Sequence, residues 1–196
     1  MIKFNNLCEE VPYLTFKEKY AEAQELGQKN IEAIAISSYN KEKNEVDSRF
    51  VNLKFIDAKQ FIFFSNYNSP KSIAFKSHNQ ITALLYWSST NVQIRIKANI
   101  SQTSALFNQE YFKNRSLDKN ALAISSNQSE AAISYDEIVT KHIEIKESND
   151  LSQCPKYWGG FSFTPFYFEF WEGRESRLNK REVYEKSDDS WMHVIL

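Results

Sequence analysis

Two pairs of strand-like segments are joined by connections too short for anything but a tight reversal. Residues 46–56 (VDSRFVNLKFI) alternate apolar and polar side chains, pass through the turn DAK, and resume as QFIFFSN at 60–66. Residues 81–87 and 92–101 repeat the arrangement across the turn-forming tetrad SSTN. Alternation with period two marks a strand with one face inside. A parallel partner would need a crossover of about a dozen residues or more, so both pairs are antiparallel hairpins. Further strands are expected at 31–38, at 167–171 and at 177–185, the last two closing around EGRES. Helical spacing predicts helices over 14–27, just after Ser69, from Ser104, over 120–126 and over 135–147. Thr15, Ser69 and Ser104 are the expected N-caps, Pro70 sits at a first helical position, and Gly27 is the expected C-cap. Six or seven strands that do not alternate with long helices argue against a parallel sheet. The expected class is mainly β with peripheral helices (α+β), an antiparallel closed or split β-barrel.

Glycine narrows the chemistry. Only Gly27, Gly159, Gly160 and Gly173 occur, so neither GxGxxG nor GxxxxGK can be written in this chain. A bound phosphate would therefore be held by side chains and helix N-termini. Aromatic residues, 15% of the chain, suit a β-rich fold with a large buried interface. The net charge of −1 provides no global field for nucleic acid or a membrane surface. Cys8 and Cys154 form no CxxC or zinc spacing, so a reduced, cytoplasmic setting is the default. The N-terminus has no apolar h-region, and the longest apolar run, 81–87, is too short to span a bilayer. Without repeats or linkers, residues 1–196 read as one domain, with an N-terminal helical segment at 1–30 and the barrel with its helices at 31–196. His78, His142 and His193 form no HxH or HxxxH pair, and no metal site is expected.

Anion donors are plentiful instead. RFVNLK (49–54) carries Arg49 and Lys54 on opposite parities, serving different parts of a site. SNYNSPK (65–71) runs from a strand end into a helix start, where backbone N–H groups and Lys71 can meet a phosphate. Tyr111 and Arg115 are four apart on one helical face, and NQS (127–129) offers an amide and a hydroxyl. In WEGRESRLNKR (171–181), strand alternation would put Arg177, Asn179 and Arg181 on one face. Alone, that run reads either as a charged hairpin rim or as an anion grip.

The ordered series RFVNLK, FFSNYNSPK, VQIRI, EYFKNR, SNQS, WGGF, EFWEGRESRLNKR and the tryptophan of DDSWM resembles the pyridoxamine 5′-phosphate oxidase family, from about Ala33 to Trp191. The resemblance implies a homodimeric FMN-binding split β-barrel with FMN between subunits. It implies oxidation of pyridoxamine or pyridoxine 5′-phosphate at C4′ by hydride transfer to the flavin, with dioxygen as acceptor and hydrogen peroxide as product. Carried over residue by residue, FMN would meet Arg49, Phe64, Ser65, Lys71, Gln93, Gln128, Ser129, Trp171 and Arg181. Substrate phosphate would meet Lys54, Tyr111 and Arg115, with Arg177 and Asn179 as the catalytic pair over the substrate ring.

Departures leave alternatives open. Pro70 replaces a family arginine, Lys119 replaces a serine on the substrate phosphate, and Asn179 replaces a histidine. The C-terminal tail is HVIL, without the family's arginine. A phenazine-biosynthesis-like FMN oxidase acting on another aromatic substrate, or a flavin-binding protein with little turnover, would show the same pattern.

Overall fold

The computed structural model describes residues 1–126, 132–148 and 150–196. Its elements follow the order β1 (Lys3–Asn5), α1 (Val11–Glu25), β2 (Ala33–Asn40), β3 (Glu45–Asp57), β4 (Gln60–Asn66), α2 (Pro70–Ser77), β5 (Gln80–Trp87), β6 (Val92–Gln102), α3 (Ala105–Lys113), α4 (Leu117–Ser125), α5 (Tyr135–Ser148), β7 (Trp158–Glu172), β8 (Lys180–Ser187) and β9 (Ser190–Ile195). Both expected hairpins are present, closing at Asp57↔Gln60 and at Trp87↔Val92. No helix among the described residues is long and apolar enough to cross a membrane.

Strand pairing closes a ring. β2 lies between β3 and β5, β5 pairs β6, β6 pairs β7, and β4 bridges β7 back to β3. Six strands thus form an antiparallel barrel with no free edge inside the ring. β1 adds to β3 in parallel, while β8 and β9 continue outward from β7. Two long strands make this possible by changing partners along their length. β3 leaves β2 at Asn52 and takes β4 from Leu53, with a register shift there. β7 pairs β4 over Trp158–Phe163 and β8 over Tyr167–Glu172.

Period-two burial fills the ring. Val92, Ile94, Ile96, Ala98 and Ile100 point inward along β6, as do Ile34 and Ile36 on β2. Phe61 stacks on Phe163 at 5.2 Å and Phe63 on Phe161 at 5.6 Å, tying β4 to β7 through the core. Helix α1 buries Tyr13, Phe16 and Tyr20, spaced at i, i+3 and i+7 on one stripe. Phe16 meets Phe61 and Trp87 edge-on at 5.2 and 5.6 Å. Each aromatic side chain so buried contributes about 1.5–3 kcal/mol.

Three local expectations are corrected. The first helix begins at Val11, not at residue 14, with Pro12 in its first turn, where a missing N–H costs nothing. Thr15 is therefore interior, its hydroxyl donating to Val11 O (3.0 Å), and does not cap. Gly27, at φ +70°, does follow the helix end. Strand β7 starts already at Trp158, because Pro165 falls at the register shift opposite Lys97 and Ala98, where a proline is tolerated. Finally, β8 starts at Lys180. Arg177 is left-handed (φ 59°) and its N–H donates to Arg174 O (2.9 Å), so the reversal continues through it. The single strand face expected to carry Arg177, Asn179 and Arg181 is not formed.

Candidate active site

β3, β4, the start of α2, α3 and the start of β7 enclose a cleft of about 500 Å³, within the usual range for small-molecule sites of about 300–1,000 Å³. It gathers seven of the residues expected from sequence: Arg49, Lys54, Phe64, Ser65, Lys71, Tyr111 and Arg115. Arg115 lies just beyond the end of α3 rather than on it, its N–H donating to Phe112 O (3.1 Å). Ser104 caps α3 as expected, accepting from Phe107 N–H (3.2 Å), which fixes the helix that presents Tyr111.

One wall of the cleft is aromatic. Phe64 stacks on Tyr111 at 3.7 Å and on Trp158 at 5.2 Å, both within 10° of parallel. The Arg115 guanidinium lies over Trp158 at 4.6 Å, a cation–π contact that sets its direction. Gly159 and Gly160 explain how Trp158 reaches this position. A Cβ on Gly159 would fall 2.1 Å from the Tyr67 hydroxyl oxygen, so only glycine allows β7 to approach Tyr67 and Asn108. Gly160 N–H donates to Asn108 Oδ1 (2.8 Å), Asn108 Nδ2 donates to Tyr67 Oη (2.9 Å), and Tyr67 Oη donates to Gly160 O (3.1 Å). Trp158 and Asp47 line the cleft but were not singled out as site residues. The W-G-G motif was the available signal for Trp158.

The cleft's four cations fall into two pairs. Lys71 is 6% exposed, and its ammonium donates to Ser69 Oγ (3.1 Å). Burial, then the neighbouring Arg49 charge, pull its pKa down to about 8, against the opposing pull of Asp47. Lys54 is lowered by burial and, in the same sense, by Lys119 and Arg115, with Glu32 opposing. Arg115 and Tyr111 are also shifted toward their neutral forms, chiefly by burial. Lys119 itself is an exposed residue of α4 whose charge reaches Lys54.

The remaining expected residues are elsewhere. Gln93, Trp171 and Arg181 lie directly across from one another on β6, β7 and β8, and none lines the cleft. Beside them is a buried carboxylate that sequence reading missed. Glu169 Oε2 accepts from Arg95, from Tyr167 Oη (2.7 Å) and from Arg181 Nη2 (3.0 Å). Burial alone would raise its pKa, but the hydrogen bonds from Arg181, Tyr167 and Arg95 hold it down to about 2. The buried Nε atoms of Arg95 and Arg181 have no hydrogen-bond partner among the described residues. Arg177 and Asn179 are exposed in the β7–β8 reversal, where Asn179 Oδ1 accepts from Arg174 N–H (3.1 Å). Gln128 and Ser129 lie outside the described residues.

Residues 158–196 match the family model described as the pyridoxine 5′-phosphate oxidase C-terminal dimerisation region. A pyridoxine/pyridoxamine 5′-phosphate oxidase of Colwellia psychrerythraea (strain 34H / ATCC BAA-681) is 33% identical over 184 residues, which are 93% of this chain and 84% of that protein. Among solved structures, PhzG from Burkholderia lata 383, in complex with tetrahydrophenazine-1-carboxylic acid, has a TM-score of 0.88 at 24% identity, covering 94% of this chain and 91% of that one. A pyridoxamine 5′-phosphate oxidase-related, FMN binding protein from Nostoc punctiforme PCC 73102 has a TM-score of 0.79 at 12% identity, covering 95% and 97%. Both structures share the split-barrel fold described above.

Proposed function

This chain belongs to the pyridoxine/pyridoxamine 5′-phosphate oxidase family of oxidoreductases, and on that premise we propose that it uses FMN to oxidise pyridoxamine or pyridoxine 5′-phosphate to pyridoxal 5′-phosphate, with dioxygen as electron acceptor and hydrogen peroxide as product. The observation that carries the reading is the arrangement of cations: Arg49 beside Lys71 and Lys54 beside Arg115, in one cleft with an aromatic wall. Two cation pairs suit two phosphates, one on the flavin and one on the substrate.

The donor set fits FMN. Lys71 is a buried ammonium that burial and Arg49 push toward neutrality, and a phosphate would relieve both effects. It stands at the start of α2, whose dipole favours an anion, so Arg49, Lys71 and Ser65 would hold the flavin phosphate. Pro70 supplies no donor there, leaving the buried ammonium and Arg49 as the cations. Bound flavin would supply the hydride acceptor and its return to the oxidised form by dioxygen.

On the substrate side, Lys54, Tyr111 and Arg115 would bind the phosphate, with Lys119 adding positive field at the rim. The stack on Phe64 and Trp158 holds Tyr111 in place for that contact. Gln93, Trp171 and Arg181 lie away from this cleft in their own chain. In a homodimer they would serve the cleft of a second copy, together with Arg177 and Asn179 over the substrate ring. The match of residues 158–196 to a dimerisation region supports that assembly. Unpaired, buried Nε atoms on Arg95 and Arg181 fit a face that is completed by other groups.

A second reading, an FMN oxidase of another aromatic anion, is favoured by Asn179. Its amide is engaged with Arg174 N–H and has no proton to exchange near neutral pH. The deciding experiment mixes FMN-loaded protein anaerobically with pyridoxamine 5′-phosphate and follows bleaching of the flavin band, then aldehyde and peroxide after air is admitted. Flavin that binds but stays oxidised refutes the first reading. Bleaching by a reduced aromatic acid instead selects the second, and failure to bind FMN refutes both.

A further inference from the structure

Among the described residues lining the cleft, Arg49, Lys54, Lys71 and Arg115 are cationic and Asp47 is the single carboxylate. Asp47 and Arg49 are two apart on β3 and so share a face. The guanidinium is divided between two tasks. Nη1 is anchored to the barrel, donating to Ser38 Oγ (2.9 Å), Asp47 O (3.2 Å) and Ile36 O (3.4 Å). Nη2 is given to Asp47 Oδ2. The arginine side chain is 20% exposed and the aspartate 67%, so the anchored partner is the cation and the carboxylate is the one able to swing away. Asp47 Oδ1 also accepts Ser48 N–H (2.7 Å), a bond at the exposed surface.

We propose that Asp47 is an internal competitor for the ligand phosphate: its carboxylate holds the same Nη2 end of Arg49 that an incoming phosphate must take, and so it sets anion affinity in this cleft. The proposal rests on the reading of Arg49 and Lys71 as the flavin-phosphate donors. A carboxylate that only oriented Arg49 would have the opposite effect when neutralised, because Arg49 would then lose its alignment. The sign of one substitution therefore separates the two roles. Asp47→Asn keeps the Oδ1 acceptor for Ser48 N–H, removes the charge and replaces the Oδ2 acceptor that holds Arg49 Nη2 with an amide donor.

The test titrates FMN into the full chain and follows quenching of flavin fluorescence, with inorganic phosphate as a competing ligand. Asp47→Asn is expected to tighten FMN by about two- to fivefold, the scale of an exposed ion pair that no longer has to be broken. Inorganic phosphate should tighten in parallel, and the gain should vanish in an Arg49→Gln background. Unchanged or weaker FMN binding by Asp47→Asn, in a protein whose wild type binds FMN, overturns the proposal while leaving the flavin reading intact. A gain that persists in full beside Arg49→Gln also overturns it, since Asp47 would then act on the cleft as a whole. A wild-type chain that binds neither FMN nor phosphate overturns the flavin reading and this proposal together.

Discussion

Raising the pH from about 7 to about 9 should weaken flavin binding roughly tenfold, and Lys71 is the reason. Its folded-state pKa of about 8 lies below the ordinary lysine value of 10.5. Across those two units the charged fraction falls from roughly nine-tenths to one-tenth. A phosphate bound beside the ammonium restores the higher pKa, so binding takes up a proton once the pH exceeds about 8. Affinity then falls by up to about tenfold per unit until the ordinary lysine value is approached. The effect on the protein without flavin has the opposite sign. Between about 8 and 10.5 the unfolded chain binds more protons at this position, so stability rises with pH over that window. Equilibrium quenching of FMN fluorescence at about pH 7, 8 and 9 measures the first effect. Lys71→Arg should flatten the profile, because arginine keeps its charge throughout. A flat wild-type profile, or a slope that survives in Lys71→Arg, refutes the assignment.

Gly159→Ala should cost about 1–3 kcal/mol in chemical denaturation, since its methyl would lie 2.1 Å from Tyr67 Oη and 2.4 Å from Asn108 Nδ2. Arg177→Ala should lose turnover far more than FMN affinity, whereas Arg181→Ala should chiefly weaken FMN. Steady-state kinetics beside flavin titration checks the pair, and the reverse ranking would exchange the two roles. Glu169→Ala should lower unfolding stability by about 1.5–3 kcal/mol, because Arg95, Tyr167 and Arg181 all lose a charged acceptor at once. Urea titration reads that loss.

What sequence could disclose depended on whether the cause was local. The hairpins at 57–60 and 87–92 were legible because a short turn leaves the chain no other course. Ser104 was legible because its capping bond spans three residues. The start of α1 was missed because Pro12 declares a first turn only when weighed as position, not as a breaker. Arg177 was misplaced because left-handed backbone at a non-glycine residue leaves no mark on composition. The cleft residues come from strands and helices far apart in the chain, and only their family order grouped them. Glu169 escaped because its importance lies in partners that pairing register brings together, Arg95 and Arg181. Asp47 escaped because a carboxylate two residues from Arg49 on one strand reads as a solvated charge until the anchored guanidinium beside it is seen. Trp158 owes its place to two glycines that let β7 pass close to Tyr67 and to Thr103.

The partner change along β7 constrains how assembly and folding can be pulled apart. The stretch 158–196 bears the description of a dimerisation region, yet its first residues are the only bridge from β6 to β4 among the described pairings. A chain ending before Trp158 would lose Phe161, Phe163, Phe168 and Phe170 from the core and leave β4 and β6 with bare edges. Truncation therefore removes the monomer along with any dimer. On the proposed homodimer, a monomeric form for biophysical work would come from point changes at exposed positions of β9 such as Met192 and Val194, where no barrel pairing is at stake.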